Sequence, residues 1–334
     1  MDKTIIAIDA MGGDNAPYEI VKGTINAINK WDFSAILVGD ETAIKAELDK
    51  YAFDNDKVQV VHSNTVIENC EQPTVAIKEK KDSSMVMALN LVKEGKASAI
   101  ISAGNTGAYL AGATLIIGRI RGVKRPCLGA MLPCQSEVGH TLLVDCGATI
   151  DAKPEYINQF AKIGSIYFEG MFDVSKPTVG LVNIGTEETK GNEQTLAVHE
   201  LLKENDINFI GNIEGRDIAL GGANVVVADA FVGNVILKTF EGLGKFFTNS
   251  LKKNLFSSTM SKIGALLSKN SLEQMKKDFD YKSVGGAPFL GLKGLVVKAH
   301  GSSDAYAFEN AIKQCIKFEE KEIVSKIQKA FEER

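Results

Sequence analysis

The absences in this sequence are informative. Its five cysteines, Cys70, Cys127, Cys134, Cys146 and Cys315, form no CxxC pair and no Cys/His cluster at metal-ligand spacing. That excludes a disulfide scaffold and a zinc ribbon, and it leads us to expect reduced thiols, no metal and no organic cofactor. Only 7 prolines accompany 31 glycines, so the glycine excess is neither a linker nor a collagen signature. No GxxxxGK[ST] occurs, no GxGxxG follows a strand, and no GxSxG elbow is present, since Ser302 and Ser303 lie in the wrong frame. A nucleotide P-loop, a standard dinucleotide site and an acyl-serine route therefore drop out. A net charge of -4 over 334 residues gives no electrostatic reason to bind nucleic acid. The apolar stretch ending at Asp9 is too short for a signal peptide, which points to a cytoplasmic setting. One uncharged span of 22 residues, between Lys96 and Arg119, is long enough to cross a bilayer. The polar turn Ser102-Ala-Gly-Asn-Thr-Gly107 breaks it, so it reads as a buried strand, a turn and a buried helix.

What remains is ordinary globular composition, 45% hydrophobic and 24% charged, with one event repeated along the chain. A short β-branched run is followed by glycine with small polar residues and then by a helical pattern, which is the grammar of an α/β protein. The runs are Thr4–Ala10, Ala97–Ser102, Thr141–Val144, Thr178–Val182, Asn224–Val227 and Gly294–Lys298. If they are parallel strands, all six loops leave one carboxyl edge and converge on one crevice, where open α/β folds hold ligands. Glycine turns that open helices expose backbone N–H groups to a guest, and phosphate is the default guest.

Two segments stand apart. Residues 245 to 282 carry eight lysines against Glu273, Asp278 and Asp280, a net of +5 that leaves -9 on the remainder. Leu251, Leu255, Phe256, Met260, Ile263, Leu266 and Leu267 recur there at helical spacing. Two readings stand: a packed stripe under solvated lysines, or an interfacial helix facing anionic lipid. The C-terminal stretch, Tyr306–Glu332, reads as one helix with an ordinary core-facing stripe.

The motifs Asp9-Ala-Met-Gly-Gly-Asp14, Ser102–Ala108, Asn183–Gly191, Gly211–Asp217, Gly285–Gly291 and Lys298-Ala-His-Gly-Ser-Ser-Asp304 occur in order along essentially the whole chain. Together they resemble the bacterial acyl-ACP:phosphate acyltransferases, the PlsX family. The chain departs at Asp145-Cys-Gly-Ala-Thr149, where the family usually ends in Asn, and at Asp229-Ala-Phe-Val-Gly-Asn234, where it usually has Gly second. The resemblance implies transfer of a long-chain acyl group from acyl carrier protein to inorganic phosphate. It also implies a homodimer and a product passed towards a membrane glycerol-3-phosphate acyltransferase, hence a cytoplasmic enzyme peripherally attached to the membrane. The implied fold is a Rossmann-like three-layer α/β unit similar to the isocitrate/isopropylmalate dehydrogenase and phosphotransacetylase group. We read residues 1–334 as a single intertwined domain with a protruding helical excursion over 240–285.

The chemistry then assigns roles. Phosphate is already an anion, so it needs to be held and aimed at the thioester, and the oxyanion that develops needs donors. Lys190 is the first choice for the cation, Asn234 for an amide donor, and Asp229 to orient Lys190 or accept a proton. His300 donates to phosphate or protonates the leaving thiolate, with Ser302 and Ser303 as hydroxyl ligands. Asn105, Thr106 and Gly107 are expected to touch ligand. Asp9, Gly12, Gly13 and Asp14 either bind substrate or only brace the first turn. Ser303 and Asp304 are ligands or helix caps, and Arg216 is a solvated arginine or a contact to an acidic carrier or to phosphate. His62, His140 and His199 are surface or packing residues. Two other functions fit: a short-chain phosphotransacetylase using acyl-CoA, and a non-catalytic lipid-pathway scaffold.

Overall fold

The computed structural model describes residues 4–278 and 285–332. Eleven strands form one sheet: β1 (Ile5–Asp9), β2 (Ser34–Gly39), β3 (Val58–His62), β4 (Ala99–Ser102), β5 (Cys127–Pro133), β6 (His140–Val144), β7 (Thr178–Val182), β8 (Asn208–Ile213), β9 (Val225–Val227), β10 (Ala287–Leu290) and β11 (Leu295–Lys298). The strand order is β3-β2-β1-β4-β11-β10-β5-β6-β9-β7-β8. The helices are α1 (Tyr18–Ile28), α2 (Glu41–Leu48), α3 (Pro73–Glu79), α4 (Ser84–Lys93), α5 (Thr106–Gly112), α6 (Pro154–Phe172), α7 (Glu193–Lys203), α8 (Gly215–Leu220), α9 (Ala230–Leu255), α10 (Thr259–Leu267), α11 (Lys269–Asp278), α12 (Ala305–Glu320) and α13 (Ile323–Glu332).

Period-two alternation builds the layers. Ile6 and Ile8 of β1 join the core under α1, α6, α12 and α13, whereas Ala7 joins the core under α3, α4, α5 and α8. A sheet buried on both faces has no polar side, which is why its strands read as continuous apolar runs. The expected three-layer α/β architecture is what the chain adopts. The uncharged span from residue 97 to 118 is likewise a buried strand, a turn and a helix.

The expected single carboxyl edge is corrected. β10 runs antiparallel to both β11 and β5, and β5 runs antiparallel to β6. These reversals make β6, β7, β8 and β9 point opposite to β1, β2, β3, β4 and β11. The loops after β1, β4 and β11 thus leave one end of the sheet, and those after β6, β7 and β9 leave the other. What joins the two ends is α9. At 26 residues it is roughly 39 Å long, enough to cross a sheet.

The helix that leads into the excursion begins at Ala230, where Asp229 accepts from the Val232 N–H, and the chain continues as α10 after a new cap at Ser258. Asp280 and Lys282 of the basic segment lie outside the described residues. The C-terminal stretch is two helices, broken at Glu322 in the left-handed region (φ 52°). The bend packs α13 against α6, and Phe308, Ile312 and Cys315 of α12 and Ile323, Ile327 and Phe331 of α13 are all buried.

Candidate active site

Strand β5 presents Leu128, Ala130 and Leu132 to the same side, as residues two apart must. Helix α9 lies over that side, and between them opens a cavity of about 1630 Å³. Pockets for drug-sized ligands measure roughly 300–1,000 Å³, so this space has room for a longer guest. Its apolar wall continues through Leu237, Phe240, Leu243, Phe246 and Phe247 of α9. Its polar end is built by the loops after β4 and β11: Thr106, Gly107, Lys298, His300, Ser302 and Ser303.

Local geometry explains each polar residue. His300 Nδ1 accepts from the Ser302 N–H at 3.2 Å and lies 2.9 Å from Ser302 Oγ. An accepting Nδ1 places the ring proton on Nε2 of a neutral imidazole. Burial lowers the His300 pKa, which favours that form. Nε2 stands 3.9 Å from Glu241 Oε2 on α9, and Glu241 itself pairs with Lys238 at 3.0 Å. Lys298 is 8% exposed and donates to the carbonyl oxygens of Ala103 (3.2 Å) and Ala299. Loss of hydration lowers its pKa to about 8, against the pull of Asp9 and Asp14, with Lys238 lowering it further. At the opposite end of the sheet, Asn234 Nδ2 donates to the Cys146 carbonyl at 3.0 Å, and both residues line the cavity.

Of the expected residues, Asn234, His300, Ser302, Ser303, Thr106, Gly107 and Arg216 line this one space. Lys190 and Asp229 do not. Lys190 is exposed in the loop after β7, where its backbone oxygen accepts from Asn183 Nδ2 at 2.9 Å. The Asp229 carboxylate caps α9 instead. Asn105 is also committed to structure. Its Oδ1 accepts from the Ala108 N–H at 3.0 Å, and its Nδ2 donates to the carbonyls of Glu68 and Asn69. Arg216 is exposed and pairs with Glu214. Asp304 is the cap of α12, accepting from the Ala307 N–H at 2.9 Å, which leaves Ser303 to face the cavity.

The first loop braces the polar end from behind. Asp9 is buried, and its two oxygens accept from Ser84 Oγ and Ser102 Oγ, each at 2.6 Å. Burial raises its pKa although both hydroxyls and Lys298 oppose the rise. A Cβ on Gly12 would stand 2.6 Å from Asp9 Oδ2, and Gly13 holds φ 97°. The Asp14 N–H reaches the Gly301 carbonyl at 2.8 Å. None of these four lines the cavity, and their contacts are those of a brace behind it. The two departures from the family pattern are accommodated by backbone. The Asp145 carboxylate collects the N–H groups of Leu128, Gly147, Ala148 and Thr149, and Ala230 is buried at the start of α9.

Sequence reasoning missed Lys298, Lys238, Glu241 and the β5 wall. Lys298 had a signal, a lysine closing the apolar run Leu295-Val-Val297 at a position the strand buries. Lys238 and Glu241 had none, because an i,i+3 ion pair on a helix looks solvated. Glu188, His199 and Glu200 form a group able to hold a metal, but Lys203 already pairs with Glu188 at 2.8 Å and with Glu200 at 3.6 Å.

Residues 4–326 match the sequence profile described as fatty acid synthesis protein. The chain belongs to that family. It is 49% identical over 330 residues to the phosphate acyltransferase of Clostridium novyi (strain NT), covering 98% of this chain and 99% of that one. It is 50% identical over 330 residues to the phosphate acyltransferase of Clostridium acetobutylicum, with the same coverage. Among solved structures it is similar to a phosphotransacetylase from Streptococcus pyogenes (TM-score 0.60, 15% identity, 98% of this chain and 94% of that one). A branched-chain phosphotransacylase from Enterococcus faecalis V583 aligns at TM-score 0.53 and 15% identity over 94% of this chain and 98% of that one. At such identities the structures establish a shared fold.

Proposed function

We propose that this chain is a phosphate acyltransferase that moves a long-chain acyl group from acyl carrier protein to inorganic phosphate. The acyltransferase class rests on relatives of that name at half identity over nearly both full lengths. One observation supports the long chain: a single cavity joins a polar end containing a buried ammonium to an extended apolar wall. A short-chain phosphotransacetylase would leave most of that wall unused.

In the reaction we propose, phosphate sits at the polar end with its attacking oxygen facing the thioester carbonyl. The C–O bond forms as the C–S bond breaks, and the electron pair leaves on sulfur. Neutral His300 offers its Nε2–H to the developing oxyanion or to the thiolate. Removing one such donor costs about 3–4 kcal/mol of barrier in well-studied hydrolases. Ser302 and Ser303 bind phosphate oxygens at the start of α12. Arg216, at the rim, meets the acidic carrier.

Basic α9–α11 supports peripheral contact with anionic membrane, since Met260, Ile263, Leu266 and Leu267 are all exposed. Among the described residues no helix is long and apolar enough to cross a membrane. The homodimer that the family resemblance implies belongs to the same proposal.

The test is release of free carrier thiol from long-chain acyl carrier protein with and without phosphate. We expect strict phosphate dependence and little turnover of acetyl-CoA. Preference for acetyl-CoA would favour the short-chain reading, and no turnover of either donor would favour the scaffold.

A further inference from the structure

We infer that Lys298 is the cation that holds the phosphate in this chain, an assignment that rests on the function proposed above.

The argument is one of charge in a confined place. Lys298 ends β11, which lies between β4 and β10 in the middle of the sheet. A lysine this buried normally has a carboxylate partner, because an isolated ion loses its hydration without compensation. Among the described residues, no carboxylate lies within ion-pair distance of its Nζ. The charged and titratable groups around it are Asp9, Asp14, Lys238 and His300. Asp9 spends both oxygens on serine hydroxyls, Asp14 is exposed, and the other two are a cation and an imidazole. An ammonium has three N–H donors, and two here go to the carbonyls of Ala103 and Ala299. A cation held by backbone dipoles at the polar end of a cavity, beside His300, Ser302 and Ser303, is arranged to receive an anion. Lys190, by contrast, stands outside the cavity, so an anion bound there would not meet an acyl chain lying along β5.

Lys298 stays an ammonium throughout. It binds and aims phosphate while the C–O bond forms and the C–S bond breaks. Tenfold affinity corresponds to 1.4 kcal/mol, and truncating one partner of a buried charge pair costs at least about 2 kcal/mol. The Lys298→Met variant should therefore bind phosphate at least about thirtyfold more weakly.

The experiment titrates inorganic phosphate calorimetrically into wild type, Lys298→Met, Lys298→Arg and Lys190→Ala, with KM for each substrate and a melting curve. We expect Lys298→Met to lose phosphate affinity while its acyl-donor KM stays within about twofold. Its melting temperature should hold or rise, because replacing a buried charge by an apolar side chain is neutral or stabilising. Lys298→Arg should recover part of the affinity. Unchanged phosphate affinity in Lys298→Met, or the loss appearing in Lys190→Ala instead, overturns the assignment. So would lowered melting temperatures in both Lys298 variants with acyl-donor affinity lost alongside. Wild type without phosphate-dependent turnover would sink the proposed function itself, whereas a normal wild type beside a phosphate-binding Lys298→Met sinks only the role of Lys298.

Discussion

Lys298 carries a titration that can be read independently of catalysis. Its folded pKa of about 8 lies below the ordinary 10.5, so between those values the unfolded chain holds a proton that the folded chain has shed. Stability contributed by this group therefore rises with pH across that window, and its cost is fully present below pH 8. Lys298→Met removes the cost. The variant's stability advantage over wild type should be greatest near pH 7 and shrink as pH approaches 10, as urea midpoints at several pH values will record. An advantage that grows with pH would contradict the buried-ammonium description. Residues of this kind mark the limit of what the sequence revealed. His300, Ser302 and Asn234 were legible because polar residues beside glycine stood out against apolar strands. Lys298 sat inside a strand-like run and Asn105 inside a loop, and local pattern does not say which of the two faces the cavity.

Helix α9 shows the same division at the level of the element. Its cap, Asp229, and its apolar periodicity are in the sequence, but its position across β5 depends on Gly233. A Cβ there would overlap the Asp145 carbonyl, whereas Gly242 of the same helix has open space around it. Alanine should therefore act oppositely at the two sites. Gly233→Ala should destabilise by about 3 kcal/mol or more, since the obstacle is backbone. Gly242→Ala should stabilise by about 0.5–1 kcal/mol through helix propensity. Chemical denaturation of both variants checks the pair, and equal effects would mean α9 does not press on the Asp145 turn. The break at Glu322 was not legible, because the apolar stripe continues through it and only the packing of α13 against α6 imposes the bend.

Across the whole molecule, the α/β layering and six of the eleven strands (β1, β4, β6, β7, β9 and β11) could be read from β-branched runs followed by glycine. The direction of those strands could not. Parallel and antiparallel neighbours share the same apolar composition when both faces are buried, so the reversals at β10 and β5 left no local trace. Their consequence is a cavity that runs along the face of the sheet under α9, with its polar end at the loops after β4 and β11. The same helix leads into the basic segment through α10 and α11, which we predict holds the protein on vesicles rich in anionic lipid. Ile263→Glu with Leu267→Glu should abolish sedimentation with such vesicles and leave turnover of a soluble acyl donor near wild type. Sedimentation that persists in the double variant would show that this segment does not make the contact.

The central claim is that the acyl chain lies along β5 while phosphate is held at the other end of the same cavity. Ala130 is 7% exposed and lines that wall. The decisive measurement is turnover of Ala130→Trp with a long-chain donor, beside its phosphate affinity and its melting temperature. The account predicts turnover lowered by about a hundredfold or more, with phosphate binding kept and the fold intact, since roughly 0.8 kcal/mol is at stake for each methylene excluded. Wild-type turnover in a variant whose wall is filled by an indole would contradict it.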